Sequence, residues 1–188
     1  MISEYNKIVV LGALEFSSIV IGFRAMDEMV KIAPITIIDS RTISSGKFLI
    51  IFSGDVASVE YAYRKGIDTG MGYIVDSLFL PQVHKGVIAA LGKTLKTDQW
   101  DTVGIIETSS VISSIEAADA AAKQAEVKII EIRLADGYGG KSYIKMIGTL
   151  TDVQSSMEAG TEKAKAKGTL LVDTIIPQPH KEIRPFFM

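Results

Sequence analysis

Residues 177–182 read PQPHKE and residues 81–86 read PQVHKG. These stretches hold both histidines of the 188-residue chain, so one rare corner occurs twice. Sliding one half of the sequence along the other extends the match outward. Gly12, Glu15, Asp27, Lys31 and Ala33 recur as Gly104, Glu107, Asp119, Lys123 and Ala125 at a spacing of 92. Lys47, Gly54, Val59 and Gly66 recur as Lys141, Gly148, Val153 and Gly160 at 94, and Pro81, Gln82, His84 and Lys85 as Pro177, Gln178, His180 and Lys181 at 96. The two slips mark loops where insertions are tolerated. Solenoid repeats run about 20–50 residues, whereas this period is that of a compact domain with its own core.

Each unit opens on an apolar run, KIVVLGALEF (7–16) and DTVGIIET (101–108), patterned as a strand buried on both faces. A helix is predicted next. Its apolar stripe is Ile19, Phe23, Met26, Val30 and Ala33 in the first unit, with Ser17 or Ser18 to cap it and Pro34 to stop it. The second unit repeats the stripe as Val111, Ile115, Ala118, Ala122 and Ala125. Two β-rich runs follow, ITIIDSRTI (35–43) with FLIIFSG (48–54), and VKIIEIRL (127–134) with SYIKMIG (142–148). SSGK (44–47) and ADGYGGK (135–141) join them as hairpin-like connections. A second helix carries Val56, Val59, Ala62 and Tyr63, or Val153, Met157, Gly160 and Ala164. The last strands, YIVDSLFL (73–80) and LLVDTII (170–176), run into the proline corner and a short terminal segment. The order β-α-β-β-α-β is the split βαβ pattern of ferredoxin-like α+β domains. Domains are predicted over 7–91 and 102–188, with the polar stretch GKTLKTDQWDT (92–102) as linker.

Composition narrows the function. The chain is 47% hydrophobic; counting its 16 glycines and omitting its 6 tyrosines gives about 53%, above the roughly 45–50% of ordinary domains. Domains this small have much surface for their volume, so the excess points to domain and subunit contacts. A net charge of −2 and a pI near 5.7, with dispersed lysines, offer no field for nucleic acid. The absence of cysteine excludes disulfides, a thiolate nucleophile and cysteine-held clusters, and fits a reducing compartment. MISEYNK at the start is not patterned as a signal peptide, and no apolar run reaches membrane-spanning length. A cytosolic protein is expected, without membrane or nucleic-acid partners.

Candidate chemistry is sparse. Ala135–Ser142 fits a relaxed phosphate-loop pattern, but Ser142 leads into a predicted strand, where the phosphate chemistry needs a helix N-terminus. His84 and His180 each stand alone beside prolines and are expected as packed corners, not ligands or bases. Glu15 and Glu107 lie within buried strands, where a carboxylate needs hydrogen-bond donors. Lys31 and Lys123 fall late on the first helices, where a cation is favoured. No catalytic or metal site is expected, and no cofactor.

GALEFSSIVIGFRAMDEMVKIAP (12–34), SSGKFLIIFSGDVASVEYA (44–62) and VDSLFLPQVHKG (75–86), repeated from GIIETSSVISSIEAADAAAKQAEV (104–127) to VDTIIPQPHKE (172–182), resemble the bacterial microcompartment shell domain. Two copies in unpermuted order resemble the tandem, trimer-forming shell proteins, notably of the propanediol-utilisation type. The resemblance implies that three chains make a six-domain disc, that discs tile into a sheet with other shell proteins in the microcompartment shell, and that loops at the disc axis make a pore for small polar metabolites. It implies pore-lining roles for Ser44, Ser45, Gly46, Asp136, Gly137, Tyr138, Gly139 and Gly140, and lattice-edge roles for Lys31 and Lys123. Some tandem relatives hold an iron–sulfur cluster on a cysteine in the first loop; this chain has Ser44 there. The alternative is a trimeric metabolite-sensing regulator built from the same ferredoxin-like units.

Overall fold

The computed structural model describes residues 8–187. Lys7 and Met188, the outer limits of the two predicted domains, lie outside the described residues, as does the MISEYNK stretch. The first β-α-β-β-α-β set is β1 (Leu11–Phe16), α1 (Ile19–Ile32), β2 (Thr36–Ile43), β3 (Lys47–Ser53), α2 (Val56–Thr69) and β4 (Ile74–Leu80). A short helix, α3 (Lys85–Ala90), follows. The second set is β5 (Thr102–Thr108), α4 (Val111–Gln124), β6 (Lys128–Arg133), β7 (Ser142–Gly148), α5 (Leu150–Ala166) and β8 (Leu170–Pro177), closed by α6 (Arg184–Phe187). The sheets are ordered β2-β3-β1-β4 and β6-β7-β5-β8, each fully antiparallel. These are the two tandem ferredoxin-like units that the sequence predicts.

The duplication reaches into irregular backbone. The β1–β4 register shifts at Glu15/Phe16 and the β5–β8 register at the equivalent Glu107/Thr108. The β2–β3 register shifts between Ile37 and Asp39, and β6–β7 between Ile129 and Glu131. Such bulges re-aim the side chains beside them. Helix starts are duplicated too: Ser18 and Ser110 accept from the backbone N–H of Ile21 and Ser113, while Asp55 and Thr149 accept from Ser58 and Asp152. Pro34 holds Ala33 extended and stops α1 at Ile32.

In the first unit, Leu14 and Phe16 of β1 lie opposite Ile50 and Phe48 of β3. Their side chains pack with Ala25 and Met29 of α1 and with Val59 and Ala62 of α2. The recurring glycines let these layers approach. A Cβ on Gly66 would lie 2.3 Å from a Leu14 methyl; on Gly160 it would lie 2.8 Å from a methyl of Ile106 and 3.0 Å from the carbonyl oxygen of Ala117. The inward stripe of α1 differs from the predicted one. Gly22, Ala25 and Met29 are buried, whereas Phe23 and Val30 are exposed.

Contacts divide the chain into two compact units. One runs through Lys85 and includes Ala135–Gly140; the other comprises Gly86–Leu134 and Lys141 onward. The polar stretch 92–102 is fixed to the second unit. Leu95 and Trp100 pack on Val103, Ile130 and Ile147, the Leu95 N–H donates to Ile130 O, and Trp100 Nε1–H donates to Pro179 O at 2.8 Å.

Gly160→Ala is expected to destabilise by about 1–3 kcal/mol, because the new methyl meets a backbone carbonyl that cannot rotate away. Alanine's better helix propensity, worth about 1 kcal/mol, acts in the opposite direction. A thermal melt checks the sign: the midpoint falls, whereas propensity alone would raise it.

Candidate functional site

The hairpin loops Ser44–Gly46 and Ala135–Gly140, which the sequence offers as two separate connections, come together in the first unit. The Ser44 N–H donates to Ala135 O at 3.1 Å, and the Gly137 N–H donates to Ser44 Oγ at 2.8 Å. Ser44 Oγ therefore accepts from the backbone and keeps its own proton for another acceptor. Arg41 grips Asp39 through Nε (2.9 Å) and Nη2 (2.6 Å) and reaches Asp136 with Nη1 (2.9 Å). Its pKa is raised, chiefly by the hydrogen bonds to Asp39. Ser45, Gly46, Ala135, Gly137, Gly139 and Gly140 all have positive φ, so the two loops are built from left-handed turns. At Ser45 and Ala135 that conformation carries a local cost which the surrounding hydrogen bonds offset. Asp136, Gly137, Tyr138 and Gly139 are exposed, and Gly140 is buried.

Below the loops lies a buried ion pair. Glu15 of β1 is fully buried and bonds Lys47 Nζ at the start of β3; Lys47 Nζ also points to Gly140 O at 3.5 Å. The second unit repeats the pair, Lys141 Nζ to Glu107 Oε1 at 2.8 Å. Each strand carboxylate thus has its own ammonium partner, which satisfies the need for donors that burial imposes. The stretch Ala135–Ser142 joins two strands, β6 and β7, so it is no phosphate loop. His180 is exposed and its Nδ1 accepts from the Glu182 N–H at 3.3 Å, opening the turn Lys181–Ile183. Lys31 and Lys123 lie in the last turns of α1 and α4, each 2.5 Å from an aspartate one turn earlier, Asp27 and Asp119. The hydrogen bond that Lys31 donates to Asp27 raises the Lys31 pKa. Among the described residues no group of histidine, cysteine, aspartate and glutamate could hold a metal ion.

A second network anchors the 135–140 loop at its root. Glu131 of β6 is wholly buried and meets Arg133, Lys145 Nζ (2.7 Å) and Thr94 Oγ1 (2.6 Å). Burial raises its pKa, but the hydrogen bonds from Lys145 and Thr94 and the charges of Lys145 and Arg133 outweigh that effect and hold the carboxyl below its ordinary range. Asp39–Arg41 and Glu131–Arg133 occupy equivalent positions, 92 residues apart. This recurring acid-x-arginine pattern was the available signal for the network.

The two copies match the BMC domain family model over residues 10–83 and 102–179. The chain belongs to the BMC-domain family. It is 38% identical over 173 residues to the bacterial microcompartment shell protein PduT of Citrobacter freundii, covering 92% of this chain and 94% of that protein. It is 29% identical over 165 residues to the carboxysome assembly protein CcmO of Synechococcus elongatus, of which it spans 59% while 81% of this chain is matched. A crystal structure of a microcompartment protein from Desulfitobacterium hafniense DCB superposes with a TM-score of 0.84 at 35% identity, over 95% of this chain and 99% of that one. The chain is a tandem BMC-domain microcompartment shell protein.

Glu131→Gln is expected to cost about 3 kcal/mol at neutral pH, because it leaves the partly buried Lys145 and Arg133 without their counter-charge. The folded carboxyl titrates below its ordinary value of 4.5, so its contribution is complete above that value and is lost as pH falls through the folded pKa. Urea unfolding followed by the single tryptophan, Trp100, checks this: the stability gap between wild type and variant narrows on acidification below pH 4.5.

Proposed function

We propose that this non-catalytic shell protein assembles as a closed trimer of six pseudo-equivalent domains. The trimer tiles the facet beside other shell proteins and is pierced at its axis by a pore for small polar metabolites. The observation that carries the reading is the unequal burial of the duplicated first helix. On α1, Val20, Phe23, Asp27 and Val30 form one stripe; Val20 is 76% and Phe23 54% exposed. The equivalents on α4, Ile112, Ile115, Asp119 and Ala122, are all buried by this chain's own residues. One pattern, written twice, is covered once. A second copy of the chain completes the cover, and repetition of that step around an axis closes three chains into a ring. Burying Val20, Phe23 and Val30 contributes on the order of 1–2 kcal/mol apiece at every such junction.

Ser44, Ser45 and Gly46, with Asp136 to Gly140, are the pore-forming loops in this reading. They are small or glycine-rich, offer hydroxyls and backbone amides, and are tied to one another by the Ser44 contacts. Lys31 and Lys123 are its lattice contacts. Both are exposed and recur at equivalent helix ends.

Val20→Glu with Val30→Glu is expected to leave the fold intact, since both side chains face outward, and to shift the particle from trimer to monomer in light scattering. A double variant that remains trimeric contradicts the carrying observation. Lys31→Glu is expected to leave the trimer folded, because the exposed Lys31–Asp27 pair contributes under about 1 kcal/mol, and to abolish sheets in electron micrographs. Undiminished sheets would move the lattice edge elsewhere.

A further inference from the structure

The two duplicated ion pairs are equal in sequence and unequal in environment. Glu15 and Lys47 lie under a lid: the 135–140 loop places Gly140 over them, its carbonyl toward Lys47 Nζ, while Ser45 Oγ and Lys47 Nζ stand 3.3 Å and 3.5 Å from where a Gly140 Cβ would lie. The Lys47 side chain is 12% exposed and that of Lys141, its counterpart, 58%. Gly46, the counterpart of Gly140, has the same left-handed backbone, with φ of 70° against 84°, yet a Cβ there would meet no atom within 4 Å. The chain therefore carries one closed lid-and-pair junction and the two exposed halves of another: a receptor, Lys141 with its Glu107 partner, and a turn whose tip, Ser45–Gly46, is exposed.

We propose that the Glu107–Lys141 pair of one chain is the docking point for the Ser44–Gly46 turn of a second copy, whose Gly46 carbonyl accepts from Lys141 Nζ as the Gly140 carbonyl does from Lys47. The inference rests on the trimer reading and specifies its contact. The occupant is fixed by the chain itself. The lid that covers Lys47 comes from the hairpin loop equivalent to Ser44–Gly46, and the exposed tip of that turn, Ser45–Gly46, is the matching element. Lid and receptor are different surfaces, so two copies join only head to tail, the heterologous contact that closes into a ring. A lone exposed pair such as Glu107–Lys141 contributes little in water. Covering it removes solvent screening and strengthens both the pair and the new hydrogen bond.

The test is lysine acetylation read by mass spectrometry on the wild-type trimer and on the Val20→Glu/Val30→Glu variant, with the exposed Lys165 as internal reference. In the trimer Lys141 is expected to label about tenfold more slowly, relative to Lys165, than in the monomeric variant, the ratio for an interface open about one time in ten. Slow labelling of Lys47 in both forms completes the expected pattern. If the wild type is trimeric and Lys141 labels as fast as in the monomer, the docking assignment is overturned while the trimer stands. A wild type that is monomeric throughout overturns the trimer reading itself. Should the double variant stay trimeric, Lys141 is compared with Lys165 within the wild type, and equal rates overturn the assignment.

Discussion

The stripe Val20–Phe23–Asp27–Val30 on α1 sets the constraint from which the rest follows. A helix that buries Gly22, Ala25 and Met29 against its own unit and keeps Val20 and Phe23 in water has two apolar faces, and only one is served by the fold. The same helix in the second copy, α4, has both faces covered; Glu116 and Ala120 are half-buried and only Lys123 and Gln124 are exposed. An exposed apolar patch on a small domain marks an interaction site, and here the chain contains its own demonstration of what a covered helix looks like. The alanine-rich surface of α4 and the bulkier surface of α1 stand at equivalent positions in different surroundings.

The loops obey the same logic of equivalence with different surroundings. Left-handed residues at Ser45 and Ala135 and glycines at 46, 137, 139 and 140 produce turns that are costly in isolation and stable where hydrogen bonds fix them. Ser44, Arg41 and Lys47 supply those bonds from one side, and Ala135, Asp136, Gly137 and Gly140 from the other. The Glu131 network then holds the root of the longer loop, with Arg133 two residues before Ala135. A pair of loops assembled from such parts is held at its base by hydrogen bonds and ion pairs and presents small polar groups at its tip.

The β-α-β-β-α-β order, a serine cap for α1 and the hairpin loops were legible in the sequence, because duplication doubled most signals: a strand pattern or a glycine seen twice at one spacing is hard to mistake. The inward face of α1 was not. Its apolar residues surround the helix, so periodicity alone could not separate Met29, which is buried, from Phe23, which is exposed. Likewise GKTLKTDQWDT is polar enough to read as a linker, yet Leu95 and Trp100 pin it to the second sheet. The pairing of Glu15 with Lys47 was implicit in two separate repeats but required the β1–β3 register to join them. The meeting of the Ser44 and Gly137 loops depends on tertiary placement that no local pattern encodes.

In the proposed assembly one chain carries one filled and one open copy of the same junction, and copies associate head to tail until the ring closes. Native mass spectrometry of the wild-type protein over a range of concentrations tests it most directly. The account predicts a single assembled species of three 20.3 kDa chains, with no dimer or tetramer accumulating between monomer and trimer. A persistent monomer, or an even-numbered series beginning with a stable dimer, would contradict it.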